Sequence, residues 1–155
     1  MGYSPQMTAM DIKKTYVRLA GAFARQPFDE VFEECRQIIK KYYACFPLLL
    51  RMVILLMNHH MLANKEQHQA IIQEAIDLCI RVKIESNDVR LSKEAISLQA
   101  TCYLILQQAQ EVLDLLGTTV PPIITEADLI AQAYQMLGDI SKLKKLRKLQ
   151  CTNIY

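Results

Sequence analysis

The sequence predicts an all-α protein of about eight helices arranged in antiparallel pairs. Apolar residues recur three and four positions apart almost throughout, and no sustained alternating run appears. Only four Gly and five Pro punctuate the 155 residues, which excludes collagen-like and turn-rich all-β architectures. A block near the C-terminal end also repeats itself 31 residues further on, as helix pairs do in repeat proteins.

The elements follow in order. Ser4-Pro5 reads as a helix start, with Pro in the first turn where its missing N–H costs nothing. That helix runs to about Arg25, with Tyr16, Leu19, Ala20 and Phe23 on one face, and Pro27 breaks it. Asp29, Glu30, Glu33 and Glu34 open a second helix that closes on Lys40 and Lys41, an arrangement that suits the helix dipole. Pro47 starts a third, extending to about Met61. A fourth, about Lys65 to Glu85, turns Ile72, Ala75, Ile76, Cys79 and Ile80 inward. Ser86-Asn87-Asp88 is a turn cluster, and a fifth helix spans about Leu91 to Leu106. The sixth, about Ala109 to Leu116, closes on Gly117. Thr119 to Pro122 is a loop, after which Thr125 and Asp128 resemble a capping box for a seventh helix. It reaches Leu137 and is capped by Gly138, and an eighth helix runs from Asp139 to about Gln150. The short connections imply helical hairpins within one domain spanning 1–155.

Composition narrows the possible roles. Hydrophobic residues make up 52% and charged residues 22%, so the chain is no disordered segment. A formal net charge of +2 leaves no electrostatic footprint for nucleic acid or a membrane surface. The most apolar stretch, Phe46 to Met57, is interrupted by Pro47 and Arg51 and falls short of the roughly 20 residues a membrane helix needs. No basic-then-apolar leader opens the chain, and Gln6 stands where a myristoylation motif wants Ser or Thr. Cysteines at 35, 45, 79, 102 and 151 are scattered, odd in number and without a CxxC, which reads as reduced thiols of a cytoplasmic protein.

The repeat is specific. Leu98, Ala100, Tyr103, Leu106, Val112 and Leu115 map onto Leu129, Ala131, Tyr134, Leu137, Leu143 and Leu146, each pair 31 residues apart. Small residues, Cys102 and Ala133, coincide just before the two tyrosines. Tyr134-Gln-Met-Leu-Gly-Asp139, with Leu143 and Leu146, resembles the first-helix end, Gly turn and second helix of a tetratricopeptide repeat. The family period is about 34 residues. The copy at 91–118 carries Gln107-Gln108 where the copy at 122–150 carries Gly138-Asp139, and the family's early Trp is missing. This resemblance implies a tetratricopeptide-like right-handed superhelix.

A wider resemblance runs along the chain. Phe46-Pro47-Leu-Leu-Leu-Arg-Met52, Asn58-His59-His60-Met61-Leu62-Ala63, Glu94-Ala95-Ile96-Ser97-Leu98 and Ala133 to Asp139 occur in that order. Together they are similar to the helical-repeat sensor region behind the helix-turn-helix domain of bacterial transcription regulators. The resemblance implies a non-catalytic effector-sensing or dimerisation domain, taking a peptide or protein partner or a small effector, or pairing as a homodimer. This chain carries no helix-turn-helix, so the alternative is a free-standing tetratricopeptide-like protein–protein adaptor. About 60–80 residues with two helices and a Gly turn encoded upstream of Met1 would favour the regulator.

Enzyme signatures are missing: no GxSxG, HExxH, phosphate-cradling Gly loop or dinucleotide fingerprint is present. No enzymatic activity, cofactor or metal is expected. His59 and His60 diverge by about 100° on a helix, and His68 is the third and last histidine. The basic run Lys142, Lys144, Lys145, Arg147 and Lys148 reads as a solvated helix face with no direct nucleic-acid contact. Candidate ligand-binding residues lie on first helices, which line the inner wall of such a superhelix. They are Asn58, His59, Gln99, Tyr103, Gln132 and Tyr134, with Met52 and Met136 as an adaptable apolar floor. Replacing Asn58 and Gln99 by Ala is expected to weaken binding and leave thermal stability within a few degrees.

Overall fold

The computed structural model describes residues 4–117 and 124–137. Among them are seven α-helices and one 3-10 turn, with no strand. They are α1 (Ala9–Arg25), α2 (Phe28–Lys41), α3 (Phe46–His59), the 3-10 turn His60–Leu62, α4 (Lys65–Glu85), α5 (Val89–Ile105), α6 (Ala109–Leu116) and α7 (Ile124–Met136). The eighth helix expected from Asp139, the basic run at 142–148, the Gly138 cap and Cys151 lie outside the described residues. The chain divides into two compact units, Met1–Leu98 and Gln99–Tyr155.

The first unit is built on α3. Its sequence is apolar on nearly every side, and Leu48, Leu49, Leu50, Met52, Val53, Leu55 and Leu56 are all buried. A helix with no polar face must be covered all round. Here α1, α2 and α4 each pack against it. Ile12, Leu19, Phe23, Val31 and Cys35 complete one side of this core, and Ile71, Ile72, Ala75, Ile76 and Cys79 come from α4. Each buried aliphatic side chain of this kind contributes roughly 1.5–3 kcal/mol against exposure.

Helix ends depart from expectation for local reasons. α1 begins at Ala9 and not at Ser4-Pro5, because Thr8 caps it: its Oγ1 accepts a hydrogen bond from the Asp11 amide at 3.1 Å. α3 stops at His59, and the chain tightens into the 3-10 turn, where the Ala63 amide reaches the His60 carbonyl at 3.1 Å. α5 starts at Val89, two residues early, because the Asp88 carboxylate accepts from the Arg90 amide at 2.8 Å. α7 begins at Ile124, so Thr125 stands inside the first turn and not ahead of it.

In the second unit α6 packs on α7. Ala109, Val112 and Leu116 of α6 and Ile130 and Ala133 of α7 are buried. Gly117 ends α6 at φ −73°, right-handed and not in the left-handed cap expected of it. Closeness is what selects glycine there, since a Cβ would stand 2.6 Å from the Leu113 carbonyl oxygen. The left-handed position falls elsewhere, at Gln107, with φ +60°. There the Gln107 amide donates to the Leu104 carbonyl at 3.0 Å and the Gln108 amide to the Tyr103 carbonyl at 2.8 Å. Those two bonds are a Schellman motif, with glutamine in the place glycine usually holds.

Candidate functional site

The sequence-predicted binding residues divide between the two units. In the first, Asn58 and His59 end α3 beside α1. Asn58 is exposed, and its Nδ2 donates to the Tyr16 hydroxyl at 3.5 Å. His59 is half-buried and stacks on Phe23, with ring centroids 4.6 Å apart and 12° between planes. Its Nδ1 lies 2.7 Å from the Leu55 carbonyl oxygen. A carbonyl can only accept, so Nδ1 carries the proton and Nε2 is the basic nitrogen of the neutral ring. His60 and His68 pair edge to face at 5.4 Å, each also bonded to a backbone carbonyl of the same corner.

In the second unit Gln99 donates from Nε2 to the Tyr103 hydroxyl at 3.0 Å. Gln99 is 4% exposed, whereas Gln132 is exposed and Tyr103 and Tyr134 are half-buried. The repeat register explains the depth of Gln99: 31 residues on, its counterpart is Ile130, also buried. The expected apolar floor splits as well. Met52 is 1% exposed inside the first core, and so forms no floor. Met136 is exposed beside Leu137, in a recess that Gln107 and Glu111 also line.

A feature that sequence reasoning missed lies wholly within the first unit. α2 and α4 both rest on α3, and between them runs an open groove of about 600 Å³. Arg36, Ile39, Lys40 and Tyr43 line it from α2 and the turn that follows. Glu74, Asp77, Leu78, Arg81 and Glu85 line it from α4. Both sets advance at three- and four-residue spacing, the signature of a single helix face. One end is closed by Arg36, whose Nη2 and Nε donate to Glu74 Oε1 and Oε2 at 2.5 and 3.4 Å. The hydrogen bond to Glu74 raises the Arg36 pKa further, and the guanidinium also sits 4.3 Å above the Phe32 ring. The signal was present as charges four apart on α4, which alone read as a solvated face.

Cys35, Cys45, Cys79 and Cys102 are buried thiols outside any disulfide. Burial, with the neighbouring Glu34 charge, pushes the Cys35 thiol up to about 12, and burial alone does the same to Cys102. Among the described residues no group of three or more His, Cys, Asp or Glu is placed to hold a metal ion. No helix among them is long and apolar enough to cross a membrane. No family model, curated protein or solved structure matches the chain.

Proposed function

We propose that this chain is a non-catalytic interaction domain with tetratricopeptide-like repeats. In this reading it is the effector-sensing or dimerisation part of a bacterial transcription regulator, working in the cytoplasm. The observation that carries the repeat reading is the Schellman turn at Gln107. It falls where the sequence copy carries Gly138, the turn glycine of the tetratricopeptide pattern. The same register places the Leu106 amide on the Cys102 carbonyl at 3.0 Å and the Leu137 amide on the Ala133 carbonyl at 3.1 Å. The two helices thus reach matching register positions 31 residues apart, each closing on the i→i−4 bond that also ends α1, α2 and α4. The four buried, reduced thiols favour a reducing compartment.

Ligand contact in this reading falls to Asn58 and His59 within the first unit and, independently, to Gln132 and Tyr134 within the second, with Tyr103 held by Gln99. Asn58 and Gln132 are exposed, so their amides can exchange water for a peptide backbone at little cost. The Nε2 of His59, left over by the Nδ1 bond to Leu55, adds a further hydrogen-bonding atom. The test is selection of a displayed random-peptide library on the purified chain. Peptides held by the first unit are expected to lose at least tenfold in affinity on Asn58→Ala, and peptides held by the second on Gln132→Ala, with melting temperature unchanged within a few degrees. A library that enriches nothing, or peptides indifferent to both substitutions, overturns the reading.

A further inference from the structure

The row Asp77, Arg81, Glu85 runs along α4 at four-residue intervals, negative, positive, negative. Successive members are about 6 Å apart along the helix axis. Opposite charges at this spacing ordinarily pair within a helix. Among the described residues neither Asp77–Arg81 nor Arg81–Glu85 forms an ion pair, and Asp77 instead accepts a hydrogen bond from Gln73 at 3.2 Å. Lys40, on the opposite bank, likewise makes no ion pair there. The four charges therefore border the groove outside any ion pair among the described residues, Asp77 holding a hydrogen bond from Gln73. Between the banks the floor is apolar: Leu78 is buried, Ile39 half-buried, and the Tyr43 ring is 47% exposed at the end away from the Arg36–Glu74 clamp.

We propose that this groove docks an amphipathic helix of a protein partner. The partner helix carries Lys or Arg, then Glu or Asp, then Lys or Arg at four-residue intervals, beside a ridge of Leu or Phe. A straight channel between two helices takes a third by ridge-in-groove packing, with the ridge on Leu78, Ile39 and Tyr43. Charge supplies register and partner choice, because a helix of the inverted pattern would set like against like at three successive turns. A second copy of this chain is not the occupant. Reading every Lys and Arg forward by four and eight residues finds no positive–negative–positive row anywhere in the sequence. The docking surface shares no lining residue with the Asn58 and Gln132 contacts and stands or falls without them.

The experiment uses the full chain and two stapled 16-residue helical peptides with the same Leu ridge. One carries Lys-Glu-Lys at four-residue intervals and the other Glu-Lys-Glu; binding is read by fluorescence anisotropy. The Lys-Glu-Lys peptide is expected to bind at least tenfold tighter than its twin, and the preference to reverse in the triple variant Asp77→Lys, Arg81→Glu, Glu85→Lys. Tyr43→Ser, at a residue 47% exposed, is expected to weaken the first peptide at least threefold. Asn58→Ala and Gln132→Ala are expected to leave it unchanged. Equal affinity for the two peptides, a preference that survives inversion, or indifference to Tyr43→Ser overturns the proposal. So does a self-association of the chain that Tyr43→Ser dissolves.

Discussion

Gln99 and Tyr103 meet one turn apart on α5, the Gln99 amide donating 3.0 Å to the Tyr103 hydroxyl. Gln99 occupies the slot that Ile130 fills in the second copy, so a polar side chain stands at a core position. Satisfied, it is tolerated; its removal leaves a cavity and a tyrosine hydroxyl short of a partner. Burial thus reverses the expectation that replacing Gln99 spares thermal stability: Gln99→Ala is expected to cost about 1–3 kcal/mol in urea unfolding. Asn58→Ala, at an exposed position, should stay within about 0.5 kcal/mol. Equal effects would mean that Gln99 is not buried as described.

What the sequence revealed, and what it hid, follows from how far each signal reaches along the chain. α2, α4 and α6 begin and end as periodicity, acidic starts and turn residues predict, because those signals are local. The start of α1 was misread because Pro5 and Thr8 both offer a beginning, and the Thr8 hydroxyl bond decided it. Asn58, His59 and Gln132 were legible as polar residues on otherwise apolar helices. The burial of Gln99 was in reach through its Ile130 counterpart, but a glutamine one place from a core alanine reads as an edge residue. The α2–α4 groove was hidden because Arg36 and Glu74 lie 38 residues apart, and nothing in either helix's pattern states that the two face each other.

The Arg36–Glu74 pair ties α2 to α4, two helices that both pack on α3. Both side chains are partly solvated, 48% and 37% exposed, so solvent screening keeps the link modest. A double-mutant cycle with Arg36→Ala and Glu74→Ala should give a coupling of about 0.5–1 kcal/mol at low salt. In 1 M NaCl, where screening acts within about 3 Å, most of it should disappear. A coupling insensitive to salt would mean that the hydrogen bonds of the Arg36–Glu74 pair, and not screened charge, join the helices.

The buried thiols give stability a pH dependence of known sign. In the folded chain Cys35 and Cys102 hold their protons up to about 12, against an ordinary value of 9.0. The unfolded chain ionises first, so their contribution is complete below about pH 9 and is lost progressively from there toward pH 12. Unfolding midpoints measured from pH 8 to 10.5 should therefore fall. Cys35→Ala should lower the midpoint throughout, because it opens a cavity, yet flatten its slope with pH. At pH 8 a thiol reagent should label both cysteines of the native chain far more slowly than after denaturation; rapid native labelling would contradict their burial.

Gln107 is the one described residue other than glycine held at positive φ, and its position in the Schellman turn is fixed by bonds on both sides. A side chain with a Cβ is strained in the left-handed region, whereas glycine enters it freely. The second copy of the repeat already carries glycine at the matching place, Gly138. Gln107→Gly should thus relieve local strain without removing either turn bond, since both are donated by backbone amides. The gain should be about 1 kcal/mol, reduced somewhat by the greater freedom glycine gives the unfolded chain. Gln107→Val should move the other way, because a β-branched residue fits this region worst. Urea midpoints of the two variants against the parent chain test the pair of signs. A Gly variant no more stable than Gln, or a Val variant equal to it, would show that residue 107 does not carry the left-handed turn.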